Sequence, residues 1–273
     1  MSLSSYRDLL LLFLALRLAD TNAYYYCGEA IQKELCGRNP QHIICHPETV
    51  PIDGTLLALA PLTNKIKRLF VDSHNELRNK LAGGEQVFKG GGKFPIASRM
   101  REVLWDDELA YIAGQHASRC HMMHDKCRST KRFPGAGQNL YIIAGRKKFS
   151  NMSQEALSSV EAWWSEAELV DDGNLMVEKF PEGAANWHDI GHFSAMANER
   201  AAFVGCGIAL CEKCSGDNYC VEISCDYSET NIAGTFMYKK GDSPASECDF
   251  YESTPSAKYP NLCINTGKFF NGV

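Results

Sequence analysis

Twelve cysteines constrain what this 273-residue chain can fold into more than any other feature. They stand at positions 27, 36, 45, 120, 127, 206, 211, 214, 220, 225, 248 and 263. Their state depends on compartment, and the N-terminus supplies one. Arg7 gives a basic start, Leu9 to Leu16 is an unbroken apolar run, and Thr21-Asn22-Ala23 puts small residues where a signal peptidase cuts, so residues 1–23 read as a signal peptide. Arg17 and Asp20 cut the run too short for a membrane span, and no later stretch reaches the roughly 18 apolar residues a span needs. The mature chain is expected to be secreted and extracellular, with no membrane span and its cysteines in six disulfides. Counting leaves the pairing open, with about 10,000 connectivities possible for twelve cysteines. Cys211-Glu212-Lys213-Cys214 has a zinc-type spacing, but its only near mates are Cys220 and Cys225, and an exported address favours disulfides.

The net charge of -5 argues against a nucleic-acid partner and gives no polybasic reason to sit on a membrane. The length suits one large domain with extensions. Tyr24 to Leu62 shows little helical period, is broken by Pro40, Pro47, Pro51 and Pro61, and reads as an extension stapled to the surface by its cysteines. The first helix is expected from Thr63, which can cap it, to Ala82, before Gly83-Gly84. Its Ile66, Phe70, His74, Leu77 and Leu81 share a face, making His74 a core histidine, with Arg78 one turn on as a buried anchor. Gly83 to Met100, rich in Gly and Lys, reads as a mobile loop. A second helix begins at Asp106-Asp107-Glu108 and brings Cys120 to its inward end; a third covers Ser153 to Val170, with Glu166 beside the stripe of Val160, Trp163 and Trp164. Phe203 to Leu210 and Tyr219 to Asp226 read as a hairpin, with a short strand expected at Thr235 to Tyr238. Helices first and strands last predict an α+β fold, helices on an antiparallel sheet. The tail from Gly241 to Val273 reads as a polar loop. Asn151-Met152-Ser153 is a glycosylation sequon, placing Asn151 on the surface.

Candidate chemistry centres on His124, in the run Cys120-His121-Met122-Met123-His124-Asp125-Lys126-Cys127, and on His192 in Gly191-His192-Phe193-Ser194-Ala195-Met196. Two histidines and a carboxylate can form a metal or acid/base site if the fold unites them. The bland alternative is that both histidines only hydrogen-bond across a cleft.

Trp105-Asp106-Asp107-Glu108-Leu109-Ala110, Gly137-Gln138-Asn139-Leu140, Trp164-Ser165-Glu166, the His192 run, Val204-Gly205-Cys206-Gly207 and Cys225-Asp226-Tyr227 follow one another as they do in the CAP superfamily of cysteine-rich secretory, antigen 5 and pathogenesis-related proteins. His74-Asn75-Glu76-Leu77-Arg78 is similar to its first helix, and the Cys120 to Cys127 run resembles insect antigen 5, with Tyr259-Pro260-Asn261-Leu262-Cys263 resembling the fly branch. The resemblance implies an α-β-α sandwich with disulfide-stapled extensions, divided into a leader (1–23), an extension (24–62), a CAP domain (63–240) and a tail (241–273). It implies a cleft at His124, Gln138, Glu166 and His192, in which Gln138 replaces an acid and cannot act as a base. Asn198 likewise stands where the family usually has Trp. It implies pairing of Cys27 with Cys45, Cys36 with Cys127, Cys206 with Cys225 and Cys248 with Cys263, leaving Cys120, Cys211, Cys214 and Cys220 unassigned.

By the same resemblance the function is expected to be non-enzymatic capture of a small lipid (sterol, fatty acid or eicosanoid) or of an extracellular protein. No cofactor is required on this reading, although zinc or magnesium at His124 and His192 is allowed. The alternatives are a metal-dependent hydrolase built on the His/Glu cleft, and a toxin-like, immune or reproductive interaction ligand.

Overall fold

Alternation along the two late strands organises the molecule. The structure, a computed structural model, describes residues 26–181, 189–214, 216 and 218–270; the signal peptide reading lies outside them. In chain order the main elements are α1 (Glu29–Cys36), β1 (Thr55–Leu59), α2 (Asn64–Ala82), β2 (Leu104–Trp105), α3 (Asp107–Ala117), β3 (Gly137–Gly145), α4 (Met152–Ser165), α5 (Gly173–Glu178), α6 (Gly191–Ala197), β4 (Phe203–Glu212) and β5 (Tyr219–Tyr227). The sheet runs β1-β4-β5-β3, all neighbours antiparallel, with β2 added parallel to β4.

Side chains of a strand alternate between faces, so β4 and β5 each carry two sequences at once. Val204, Cys206, Ile208, Val221, Ile223, Cys225 and Tyr227 point into the main core, with Phe70 of α2, Val160 and Trp163 of α4 and Phe193 of α6. The opposite face carries Gly205, Gly207, Ala209 and Cys211 on β4, and Cys220, Glu222, Ser224 and Asp226 on β5. There α3 lies almost on the backbone: a Cβ at Gly207 would stand 2.3 Å from Cα of Gly114, and one at Gly205 would stand 2.1 Å from the Ala110 nitrogen. The result is a three-layer α-β-α sandwich.

Local chemistry sets the helix ends. Thr63 Oγ1 accepts from the Ile66 N–H, Asp106 Oδ1 from Leu109 and Asn151 Oδ1 from Gln154, each satisfying an amide that the first turn leaves open. Asn151 is exposed. Ile66, Phe70, His74 and Leu81 are buried, and Arg78 is fully buried, donating to the carbonyls of Arg101, Met196 and Asn198. Asn198 is buried too, donating to Thr230 O and accepting from the Arg200 N–H.

Several expectations need correction. The stretch before residue 63 contains α1 and the sheet strand β1, both hidden by its prolines and short length. Gly83 to Met100 lacks a long element, as a loop would, but Phe94, Ala97 and Met100 are buried in the core and pin it down. Thr235 to Tyr238 forms no strand. Its backbone instead laces three segments by single bonds: Phe180 N–H to Thr235 O, Met237 N–H to Val177 O and Glu199 N–H to Met237 O.

Six disulfides join Cys27–Cys45, Cys36–Cys127, Cys120–Cys211, Cys206–Cys225, Cys214–Cys220 and Cys248–Cys263. Cys206 and Cys225 are direct cross-strand neighbours. Cys120, one of four cysteines that the resemblance left unassigned, ties the end of α3 to β4. The sulfurs of Cys211, Cys214 and Cys220 lie within 4.8 Å of one another, but each is in a disulfide, so none is a thiolate ligand for zinc.

Candidate functional site

His124 lies in the loop between Cys120 and Cys127, which is held at both ends by disulfides. Its Nδ1 sits 2.8 Å from Gln138 Oε1 on β3. An amide oxygen only accepts, so the imidazole proton is on Nδ1 and the Nε2 lone pair is left over. The Gln138 amide is itself fixed, donating from Nε2 to Asp125 Oδ2 at 2.8 Å and Asp226 Oδ1 at 3.0 Å. Surrounding protein pushes the His124 pKa below its ordinary value, with the Gln138 bond partly offsetting this, so the ring is neutral at neutral pH.

His192 opens α6 and is arranged the same way. Nδ1 lies 2.6 Å from Glu166 Oε1, and Glu166 Oε2 accepts from the Phe193 N–H at 3.0 Å. Glu166 stands just past α4, so both its oxygens are spent at the start of α6, where a carboxylate suits the unpaired amides. Trp163 stacks on the His192 ring and donates from Nε1 to Leu140 O. Each histidine thus has Nδ1 backed by an acceptor, the arrangement that fixes ring orientation and exposes Nε2.

Behind the histidines lies a buried polar layer. Burial pushes the Asp125 carboxyl up, but the nearby charge of Arg128 and the bonds from Gln138 and Arg128 hold it below the usual aspartate range. Asp226, fully buried under α3, is pushed well up by its burial, so the two aspartates on the Gln138 amide are shifted in opposite directions. On the other side, Asn139 Nδ2 donates to His192 O and Tyr227 Oη, and Tyr227 donates to His74 Nε2. His74 Nδ1 donates to Phe70 O, so this histidine is saturated and is a core residue, its pKa lowered by burial to about 4.

A cleft of about 440 Å³ is lined by Met122, Met123, His124, Gln138, Asn139, Leu140, Gly191, His192 and Asn231. The fold therefore brings His124, Gln138 and His192 to one cavity. Glu166 is not among the lining residues, because it stands behind His192. Among the described residues, no three His, Asp or Glu donor atoms converge within 4.8 Å.

Residues 71–227 match CAP, the cysteine-rich secretory protein family, over more than half of the chain. The chain belongs to the CAP family. It is 37% identical over 203 residues to the antigen 5 like allergen Cul n 1 of Culicoides nubeculosus, covering 68% of this chain and 84% of that protein. It is 32% identical over 240 residues to venom allergen-1 of Aedes aegypti, covering 87% and 86%. Among solved structures, BmVAL-1 superposes with a TM-score of 0.59 at 25% identity, over 76% of this chain and 97% of that one. NaASP2 with Zn²⁺ superposes with a TM-score of 0.60 at 24% identity, over 74% and 96%, a likeness of fold alone. No helix among the described residues is long and apolar enough to cross a membrane.

Within this CAP chain, sequence reasoning passed over His116, Asp125 and Glu222, which support the cleft from behind. His116 falls at helical spacing with Leu109, Ile112 and Ala113, which gives it the look of an ordinary core position. Glu222 alternates with Val221 and Ile223, a pattern that marks a solvent face unless a helix covers it. The one available signal was the glycine pair Gly205 and Gly207 opposite Gly114, which marks a helix lying close over that face.

Proposed function

We propose that this CAP protein is a secreted, non-enzymatic binding protein whose cleft presents His124 Nε2 and His192 Nε2 to a zinc-class cation or a polar ligand group. Export behind the leader 1–23, the extension, domain and tail boundaries at 62 and 240, and a glycan at Asn151 belong to the same reading. The observation that carries it is the paired backing of the imidazoles, Gln138 on one and Glu166 on the other. Two imidazole nitrogens suit zinc, with two positions left for water or ligand. They do not suit magnesium, which wants oxygen donors, because Glu166 has both oxygens engaged and the Gln138 oxygen is taken by His124. The hydrolase alternative loses its base on the same grounds. Glu166 is committed to His192 and Phe193, and Gln138 carries no proton-accepting charge.

Capture of a small lipid is a second reading, favoured by a groove of about 360 Å³ whose lining includes Leu59, Pro61, Leu62, Ala110, Tyr111 and Ile208, between β1 and α3. The test is titration calorimetry of the purified chain with Zn²⁺ and Mg²⁺, run beside solvent extraction for co-purified lipid. Zinc binding that is lost in the His124→Ala/His192→Ala double variant, with no magnesium response, supports the cation site. Zinc binding unchanged in that variant would sink it. An empty extract and no uptake of sterol, fatty acid or eicosanoid would remove the lipid reading and leave a protein partner.

A further inference from the structure

Beneath the cleft lip is a pair of buried groups that the cleft reading does not use. Glu222 of β5 and His116 of α3 both have fully buried side chains, with His116 Nδ1 3.5 Å from Glu222 Oε1. His116 Nε2 lies 2.9 Å from Met123 O. A carbonyl can only accept, so Nε2 carries the proton. Nδ1 then faces Glu222, and neither Nδ1 nor either Glu222 oxygen has a fully formed hydrogen bond to any other protein group. The His121 N–H polarises the carboxyl at a geometry short of a full bond. Arg128, whose charge is felt at His116, is committed to Asp125 and to Ala136 O.

Two buried lone-pair groups facing one another are unfavourable unless one carries a proton. We propose that Glu222 is held as the neutral acid, keeps its proton and directs the O–H as a hydrogen-bond donor toward His116 Nδ1, and through the His116–Met123 bond positions the Met122–Met123 lip of the cleft. The chain of support is short. Glu222 fixes the His116 ring, His116 fixes the Met123 carbonyl, and Met122 and Met123 form the apolar edge beside His124. Burial raises the Glu222 pKa to about 9 and lowers that of His116 to about 4, both directions favouring the neutral pair. The charged or titratable groups facing the pair are Asp53 and His121 from the loops, and Asp125, Arg128 and His124 from the lip side. The inference does not depend on what the cleft binds.

The test combines infrared and NMR spectroscopy of the full chain. A wild-type minus Glu222→Gln infrared difference spectrum at neutral pH should contain a protonated-carboxyl carbonyl band, and the ¹⁵N spectrum should show His116 with a protonated Nε2 and a bare Nδ1. The wild-type Met122 and Met123 methyl signals should shift together as pH is raised through about 9. Glu222→Gln should abolish that shift, and Met176 in the opposite core should not move. No carboxyl band, or His116 protonated on both nitrogens, would overturn the protonation claim. Lip methyls that do not titrate, or that titrate unchanged in Glu222→Gln, would overturn the positioning claim. None of these readings needs a disruptive variant.

Discussion

The two faces of the central sheet solve the same packing problem with different chemistry. Toward α2, α4 and α6 the sheet presents large apolar side chains, and Trp163, Phe70 and Phe193 fill the space between layers. Toward α3 it presents glycine, alanine and cysteine, and the helix approaches until backbones touch. The first face gains stability from area removed from water. The second gives up much of that area and gains a buried polar seam, Glu222, Ser224 and Asp226, on which the histidine cleft rests. A layer that must hold imidazoles in fixed orientation needs hydrogen-bonding groups behind them, and only a closely packed helix keeps those groups from water.

The largest effect should come from the apolar face. Trp163→Ala should cost about 3–5 kcal/mol of unfolding free energy, measured by urea denaturation, and should also release His192 from its stacking partner. A loss below about 1 kcal/mol would mean that this face is not the main store of stability.

Next is the pH dependence, in which the buried histidines and Glu222 act in opposite directions. The folded chain keeps His74 unprotonated down to about pH 4, while an unfolded histidine takes up a proton near 6.5. Unfolding therefore binds protons in that window, and stability falls as pH drops through it; His116 acts the same way. Glu222 does the reverse. Its proton stays on the folded chain up to about pH 9 but leaves the unfolded chain near 4.5, so its contribution is lost as pH rises. Between pH 6.5 and 9 the histidines no longer contribute. The wild-type chain should lose up to about 1.4 kcal/mol per pH unit from this one group. Denaturation series should show a flatter profile for Glu222→Gln, with Asp226 leaving some slope. Identical profiles would contradict a protonated Glu222.

A smaller effect, about 2 kcal/mol, is expected from Gly207→Ala. The added methyl meets backbone of α3, which cannot swing aside as a side chain can. A loss of only a few tenths would mean that α3 sits less tightly than described.

The apolar face was the legible one. Its residues recur at helical or strand spacing, so α2, α4, β4 and β5 could be read directly, together with the burial of His74 and Arg78. The polar face was obscured because Glu222, Ser224 and Asp226 alternate like solvent-facing residues, and only the tertiary position of α3 makes them interior. β3 was recognised as a motif around Gln138 but not as a strand, since its pairing partner β5 lies about 80 residues later in sequence. Of the residues that line the cleft, His124, Gln138 and His192 could be named from the CAP resemblance. The committed role of Glu166 could not, because it depends on where the start of α6 lies.

The account rests most on the claim that both cleft imidazoles turn Nδ1 inward and offer Nε2. Long-range ¹H–¹⁵N correlation spectra, recorded at a pH that keeps the rings neutral and then with added Zn²⁺, test it directly. The account predicts protonated Nδ1 and bare Nε2 on His124 and His192, with zinc moving those two Nε2 signals and leaving His74 and His116 in place. A proton on Nε2 of either cleft histidine, or a zinc response confined to other histidines, would contradict it.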